Sequence, residues 1–296
     1  MLLRIVPSGG PLGATIYSVD IRRPLDAADR QAVLAAWHAH LVVVFAGQEG
    51  ASLDDQIAFS RNFGEVELSP VAQRRKEGLP TAAAGDTGDG LDVPPEVVVV
   101  SNVVAGGRRI GALGDGEVKW HTDSPFYRVP PAASLLRAVE VPADGGGPTS
   151  FCNMYMAWET LPTDLRRAVE GRQCSHSGNF DAAGKPYPGA RIGDPSQSPG
   201  ARHPLVRTHP DTGRRCLYLG RRLDGWIVGL PVDESEALLD TLWAHATRPE
   251  HAWTHRWRVG DAVLWDNRCA MHRREPFDPA QRRLMYRTQI KGTPPV

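Results

Sequence analysis

Short apolar, β-branched runs separated by glycine and proline turns constrain the fold of this chain more than any other feature. LVVVF (41–45), EVVVVSNV (96–103) and AVLWDN (262–267) have the composition of buried strands. RRLMYRTQIKG (282–292) has the pattern of a last strand. Short strands joined by such turns are typical of a β-sandwich or jelly roll. We therefore predict a mainly β fold with a few flanking helices.

Three segments are predicted to be helices outside the strands. Residues 27–40 place apolar side chains on one helical face. A capping-box pattern at Ser52 and Asp55 predicts the start of a second helix. A similar pattern at Asp233 and Glu236, followed by leucines at helical spacing, predicts the start of a third.

Length, charge and cysteine usage limit the possible classes of protein. A chain of 296 residues is compatible with one elaborated β domain, so we predict a single domain over 1–296. The 34 basic and 34 acidic residues balance, which argues against a nucleic-acid partner. No stretch is apolar for long enough to span a bilayer, and the N-terminus lacks a signal-peptide core. The four cysteines form no CxxC pair, which favours reduced thiols and a cytoplasmic location.

Two long stretches have neither helical nor strand periodicity. Residues 80–95 are rich in Gly, Ala, Asp and Pro, and residues 184–204 are equally irregular. Structureless loops of this length inside a compact domain are often lids over active sites. A merely flexible insertion explains them about equally well, so both interpretations stay open.

The most informative segment is KWHTDSPF (119–126), in which His121 and Asp123 stand two residues apart. On a strand, both side chains would project from the same face. His272, which follows the AVLWDN strand, supplies a third candidate ligand. Two imidazoles and one carboxylate on one face of an octahedral ion form the facial triad of non-haem iron oxygenases. A catalytic zinc ion on the same residues is the alternative. Since about one His-X-Asp or His-X-Glu spacing is expected by chance in a chain with 10 histidines and 34 acidic residues, the context of this one must decide.

That context resembles the taurine dioxygenase / 2,4-dichlorophenoxyacetate dioxygenase (TauD/TfdA) family. The matching phrases are HTD after Trp120, GGGPT (145–149), WDNRCAMH (265–272), QRRLMYR (281–287), LGATIYSVDIRRPL (12–25), HLVVVFAGQ (40–48) and DDQIAFSRNFGEVE (54–67). The resemblance therefore covers nearly the whole chain. It implies a double-stranded β-helix (a cupin-like jelly roll), an Fe(II) cofactor, 2-oxoglutarate as cosubstrate and O₂.

The resemblance also implies roles for individual residues. His121, Asp123 and His272 match the iron ligands of the family. Arg283 matches the arginine that pairs with the distal carboxylate of 2-oxoglutarate, and Thr149 matches the threonine that hydrogen-bonds the same group. A planar guanidinium suits this task because it can bind a carboxylate with two parallel hydrogen bonds.

Three further positions concern the substrate. Arg287 matches the arginine that binds the anionic group in sulfonate-oxidising members, although a solvated edge strand is the alternative interpretation. Glu117 and Ser69 lie in regions where taurine enzymes have substrate-contacting residues of other types. A carboxylate at Glu117 would repel a sulfonate if it faced the pocket, which disfavours taurine. An aryloxyalkanoate, an alkyl sulfonate or sulfate, or another small carboxylate stay open.

We therefore expect a dioxygenase that hydroxylates a small anionic organic molecule and releases succinate and CO₂. A zinc-dependent hydrolase or lyase on the same ligands is one alternative, and a non-catalytic jelly-roll binding protein is another. Homo-oligomers are common in the family, so a homo-oligomer is expected here.

Overall fold

The computed structural model describes residues 3–76, 93–187 and 189–296, and strands dominate them. The helices of this part of the chain are α1 (Ala27–His40), α2 (Leu53–Ser60), α3 (Pro70–Lys76), α4 (Met154–Glu159), α5 (Thr163–Val169) and α6 (Val232–Ala246). Short 3₁₀ helices span Pro195–Gln197 and Pro249–His251.

The larger of two main sheets contains the predicted apolar strands. Its members are β1 (Arg4–Pro7), β2 (Ala14–Tyr17), β3 (Val42–Phe45), β4 (Val98–Ser101), β7 (Ala112–Leu113), β9 (Ala133–Glu140), β17 (Ala262–Asp266) and β19 (Leu284–Ile290). They lie in the order β1-β2-β3-β17-β9-β19-β4-β7. The strands predicted at 41–45, 96–103, 262–267 and 282–292 are therefore confirmed, and each is shorter than its predicted run.

The smaller sheet consists of β8 (Val118–His121), β10 (Thr149–Asn153), β16 (Ala252–His255) and β18 (Ala270–Arg274). These strands lie in the order β16-β10-β18-β8. The remaining strands form small peripheral sheets: β5 (Val104–Ala105), β6 (Arg108–Arg109), β11 (Gln173–Ser177), β12 (Gly200–Pro204), β13 (Val206–Thr208), β14 (Arg215–Leu217) and β15 (Trp226–Ile227).

The two main sheets share one buried core. Phe151 of β10 lies with its ring centroid 5.7 Å from that of Trp265 on β17, so a side chain of one sheet touches the other. The same core cluster includes Met271 of the smaller sheet and Leu136 and Met285 of the larger. A second cluster, behind the larger sheet, buries Trp37 of α1 and other apolar side chains of α1 and α2 against the strands. Helices therefore cover the outer face of the larger sheet.

The helix predictions are confirmed at two starts and wrong at the third. Asp26 caps α1 by accepting from the backbone N–H of Asp29, and Ser52 with Asp55 forms the capping box of α2. Helix α6 instead begins after Pro231, with no side-chain cap bond. Asp233 lies inside its first turn, where a carboxylate is favoured by the helix dipole rather than by a capping hydrogen bond.

The two predicted loops have different outcomes. Residues 77–92, which contain most of the stretch predicted at 80–95, lie outside the described residues. The prediction for 184–204 is wrong at its end, because Gly200–Pro204 forms β12 and pairs antiparallel with β11. Gly200 has a φ of +157°, and a Cβ there would lie 1.8 Å from the carbonyl oxygen of His176. Close backbone approach therefore requires glycine where the irregular stretch becomes a strand. None of the described helices has the length and apolarity needed to cross a membrane.

Leu264→Ala tests the packing behind the larger sheet. Leu264 is fully buried on β17, so the truncation should lower the free energy of unfolding by about 2–5 kcal/mol. Chemical denaturation measures the change. Ile192→Ala, at a side chain that is 65% exposed, should change it by no more than about 0.5 kcal/mol. Equal effects of the two substitutions would contradict the assigned core.

Candidate metal centre and active site

The structure brings the three predicted metal ligands together. Oδ1 of Asp123 lies 3.7 Å from Nε2 of His121 and 3.9 Å from Nε2 of His272. One ligand atom from each residue lies within 4.8 Å of the other two. All three side chains are buried. The donor set and its compactness fit one divalent ion held by two imidazoles and a carboxylate.

Cross-strand pairing and a bend produce this convergence. His272 lies directly opposite His121 in the pairing of β18 with β8, and their ring centroids are 4.1 Å apart. Strand β8 ends at His121, so the prediction that Asp123 shares a strand face with it is wrong. Asp123 instead lies in a bend that includes Ser124, whose φ is +47°. The N–H of Thr122 between them donates to a backbone carbonyl, at 2.8 Å.

The protonation of the three ligands suits metal binding. The Nδ1 of His121 lies 2.7 Å from the carbonyl oxygen of Lys119, so an N–H there leaves the Nε2 lone pair free. Burial, and then the neighbouring His121, lower the pKa of His272 well below its usual range, which keeps that imidazole neutral. Burial alone would raise the pKa of Asp123, but Arg287 and the histidines outweigh it and hold the carboxyl ionised.

A hydrogen-bond network orients the carboxylate. Ser134 donates to Oδ2 of Asp123 at 2.7 Å, which leaves Oδ1 directed at the histidines. The Ser134 oxygen in turn accepts from the side-chain amides of Asn267 (3.1 Å) and Gln289 (3.3 Å). Sequence analysis missed this network, since Ser134 stands in an apolar strand and no spacing marks it as functional.

Arg287 lies on the inner face of the larger sheet. Its Nη1 donates to Oδ1 of Asp123 at 3.0 Å, and its side chain is 15% exposed. Strand β19 runs between β9 and β4, so the alternative of a solvated edge strand is wrong for Arg287. Arg282, just before the strand, is exposed and pairs with Glu140 at 2.7 Å.

The guanidinium of Arg283 is buried without a described anionic partner. Arg283 is among the largest fully buried side chains, and its Nε has no hydrogen-bond acceptor. Its Cζ lies 6.0 Å from the ring centroids of Trp257 and Phe277. Burial, and then the positive charge of Arg274, lower its pKa well below the usual value. An unpaired buried cation is costly, so this pocket is suited to an anion.

Thr149 belongs to the same pocket. Its hydroxyl oxygen accepts from Nε1 of Trp257 at 2.9 Å, and the same indole borders Arg283. A Cβ at Gly147 would lie 3.5 Å from Nε of Arg283 and 3.0 Å from the Phe277 ring, so the glycine-rich turn allows the close approach. Arg274, opposite Thr149 on β18, donates instead to backbone carbonyls of Leu113, Gly114 and Gly116. Because the terminal nitrogens of Arg274 already donate to these carbonyls, Arg283 is the one of these two buried arginines that can bind a ligand.

The structure does not bring Glu117 or Ser69 into the ligand group. Glu117 is exposed just before β8. Ser69 precedes α3, where its hydroxyl accepts from the N–H of Ala72 at 3.2 Å. No described contact joins either side chain to the three ligands. Glu117 is thus exposed and apart from the ligand group, Ser69 has the contacts of a helix cap, and the substrate roles of both stay predictions.

A second buried group, His209, Asp266 and Cys269, also has compact ligand atoms. Both Asp266 oxygens already accept hydrogen bonds, from His209 Nε2 at 3.0 Å and from Arg268 at 2.7 and 2.8 Å. The Nδ1 of His209 accepts from two backbone N–H groups. Burial raises the pKa of Cys269 well above its usual value, so its thiol stays protonated. These contacts make the group a structural ion pair rather than a metal site.

Comparison with known proteins decides the family. The family described as "Taurine catabolism dioxygenase TauD, TfdA family" matches residues 4–289. The chain belongs to the TauD, TfdA family. Pentalenolactone F synthase of Streptomyces arenae is 34% identical over 288 residues, covering 94% of this chain and 91% of the relative. The (S)-phenoxypropionate/alpha-ketoglutarate-dioxygenase of Delftia acidovorans is 34% identical over 310 residues, covering 99% and 96%.

Solved structures agree with this membership of the TauD, TfdA family. The structure described as AAD-2 in complex with Mn(II) and N-oxalylglycine superposes with a TM-score of 0.76 at 29% identity. The match covers 100% of this chain and 99% of that chain. Both the sequence and the architecture are therefore similar over the full length.

Ser134→Ala tests the support of Asp123. Loss of the hydroxyl should weaken metal binding by about ten- to a hundredfold, as is usual when a partner of a metal ligand is removed. Titration of the metal-free protein with Fe(II) or Mn(II) under anaerobic conditions measures the change. Ser150→Ala is the matched control, because Ser150 is equally buried but bonds Thr254. Equal metal affinity in both variants would contradict the role of Ser134.

Proposed function

We propose that this chain is an iron(II)- and 2-oxoglutarate-dependent dioxygenase that hydroxylates a small anionic organic molecule. One observation supports the proposal most strongly. Arg283 holds a fully buried guanidinium with no described carboxylate beside it, four residues before Arg287, which contacts Asp123 of the two-histidine, one-carboxylate group. Its reaction consumes a substrate C–H bond, O₂ and 2-oxoglutarate, and it yields a C–OH group, succinate and CO₂.

The residues around Arg283 fit the distal carboxylate of 2-oxoglutarate. A bidentate carboxylate would neutralise the buried cation and satisfy its unused N–H groups. The Thr149 hydroxyl, whose oxygen already accepts from Trp257, has its own proton left to donate to the same carboxylate. N-Oxalylglycine, present in the AAD-2 structure, differs from 2-oxoglutarate by one N–H in place of a CH₂. His121, the neutral His272 and the ionised Asp123 would hold the metal.

When bound, Fe(II) and 2-oxoglutarate supply the oxidising chemistry. The chain's own residues position the reactants and exclude water. Ser134 and Arg287 fix the Asp123 carboxylate from two sides, and Arg283 sets how far the cosubstrate reaches toward the ligands. Burial of all three ligand side chains limits solvent at the reacting atoms.

The proposed substrate carries an acidic group. Arg287 lies beside Asp123 with its Nε lacking an acceptor, so it can bind an anion while it contacts the ligand. The Delftia acidovorans relative is named for a phenoxypropionate, which supports an aryloxyalkanoate or a similar small acid. A sulfonate or sulfate stays among the candidates. The argument against taurine loses its basis, because the Glu117 side chain is exposed.

The alternatives account for fewer observations. A zinc hydrolase or lyase on the same three ligands leaves the buried Arg283 without a function, and the relatives are named as a synthase and a dioxygenase. The alternative of a non-catalytic binding protein does not explain why three metal ligands converge, or why Ser134 orients one of them, Asp123.

We further propose that the two main sheets form the double-stranded β-helix of a cupin-like jelly roll within a single domain over 1–296. The irregular part of 184–204 is proposed as an active-site cover. Ser198 donates to Asp224 at 2.6 Å, and Asp224 follows Gly220, whose carbonyl accepts from the N–H of Thr122 between two of the ligands. All four cysteines are free, which supports the cytoplasmic location. A homo-oligomer stays a prediction.

Arg283→Met tests the cosubstrate site. The affinity of the metal-loaded protein for 2-oxoglutarate should fall by about a hundredfold or more, because the partner of a buried carboxylate is lost. Without 2-oxoglutarate, the variant should unfold no more easily than wild type, because an unpaired buried charge has been removed. Anaerobic calorimetry and chemical denaturation measure the two effects.

Arg282→Met is the matched control, because Arg282 is adjacent but exposed. It should leave 2-oxoglutarate affinity unchanged. If both variants retained wild-type affinity, Arg283 would not bind the cosubstrate.

Substrate-dependent succinate formation tests the reaction itself. The metal-loaded protein should form succinate from 2-oxoglutarate and O₂ faster when an accepted acid from a panel of aryloxyalkanoates, alkyl sulfonates and alkyl sulfates is present. Asp123→Ala should abolish the increase, since it removes a ligand. Full activity of that variant would remove Asp123 from the ligand set.

A further inference from the structure

A row of side chains crosses the smaller sheet and ends at Arg221. Residues directly opposite each other on antiparallel strands point to the same face. Trp253, Phe151, His272 and His121 are successive partners of this kind on β16, β10, β18 and β8. Beyond β8, an isolated antiparallel bridge places Arg221 opposite His121. Arg221 therefore stands on the metal-site face, next to a ligand.

The charge of Arg221 reaches the ligands. The Asp123 carboxylate and the Asp181 carboxylate both act on its guanidinium, so Arg221 lies within electrostatic range of the ligand group. Asp123 already pairs with Arg287. The two arginines come from different parts of the chain, β19 and the turn after β14. The site thus holds the guanidinium of Arg221 besides that of Arg287. Sequence analysis missed Arg221, because LGRRLDG (219–225) has the composition of an exposed turn.

The surroundings of Arg221 hold it in place and leave it without a neutralising partner. Its Nη1 donates to the carbonyl oxygen of Phe180 at 2.5 Å, and its Cζ lies 5.1 Å from the ring centroid of Phe126. The Tyr187 side chain also lies beside it. Its Nε is buried without an acceptor, and no described carboxylate lies within ion-pair distance. The adjacent Arg222, by contrast, pairs with Glu236 and Asp240, both at 2.7 Å.

Arg221 is also separate from the cosubstrate pocket. Thr149 and Arg274, which border that pocket, lie two residues along their strands from Phe151 and His272, or about 6.6 Å. Arg221 is instead displaced across the strands, beyond β8. An anion on Arg221 would therefore not overlap one on Arg283.

We propose that Arg221 is a substrate-binding residue that, with Arg287, holds the carboxylate or sulfonate of the substrate beside the metal site. This assignment rests on the proposed function. With Arg283 engaged by 2-oxoglutarate and Arg287 by Asp123, Arg221 is the guanidinium whose charge the substrate itself must balance. The substrate class is thus a small acid with its anionic group a few bonds from the oxidised carbon, against the flat wall formed by Phe126.

Equilibrium binding to the protein loaded with Fe(II) and 2-oxoglutarate, without O₂, tests this assignment. The probes are (S)-2-phenoxypropionate, hexyl sulfate and the neutral (S)-2-phenoxypropionamide. In Arg221→Gln, the dissociation constant of the acid that wild type binds should rise by about ten- to a hundredfold, the loss of a charged hydrogen bond. The amide should bind both proteins equally. Arg221→Lys should recover part of the affinity, which a purely structural role would not predict.

Arg222→Gln is the matched control and should bind the acid like wild type. The 2-oxoglutarate affinity of each variant shows whether it is folded and competent. Unchanged acid binding in Arg221→Gln with normal 2-oxoglutarate binding would overturn the role of Arg221 alone. So would a wild-type protein that binds 2-oxoglutarate but neither acid. Failure of wild type to bind 2-oxoglutarate would instead overturn the proposed function. The acid that binds distinguishes a carboxylate substrate from a sulfated one.

Discussion

The register between β8 and β18 is the constraint on which the rest of the site depends. It places His121 opposite His272 and so fixes two ligands on one face of the smaller sheet. A slip of one residue would reverse the faces and bring Trp120 into the site. Trp120 instead lies under Arg273, 5.3 Å from ring centroid to Cζ. The third ligand follows from the same strand end, because the chain must bend after His121.

Buried positive charge determines which ligands the site can bind. Arg283 directly precedes β19, Arg287 lies within it, and Arg221 follows β14. Arg283 is fully buried, Arg287 is 15% exposed and Arg221 is half-buried. Among the residues that the structure describes, Asp123 is the carboxylate within ion-pair distance of these arginines, through its contact with Arg287. Desolvated cations are tolerated only when an anion compensates them, so the fold is prepared for anionic ligands. A cosubstrate with two carboxylates and an acidic substrate meet that requirement together.

The sequence predicts the features of the fold and the site that depend on residues close by in the chain. The caps of α1 and α2 and the apolar strands follow from patterns within a few residues. The three ligands and Arg283 were predicted through ordered motifs, although the bend at Asp123 was not. Ser134 and Arg221 were missed, because their roles arise from pairings with residues far along the chain. The role of Glu117 stays a prediction, because spacing from His121 cannot tell which way a short strand exposes its side chains.

A crystal structure of the protein with Fe(II) and 2-oxoglutarate, obtained without O₂, tests the central claim most directly. The account predicts one metal ion bonded by His121, Asp123 and His272, with the far carboxylate of the acid hydrogen-bonded to the Arg283 guanidinium. Metal bound at His209, Asp266 and Cys269 instead, or 2-oxoglutarate with that carboxylate away from Arg283, would contradict it.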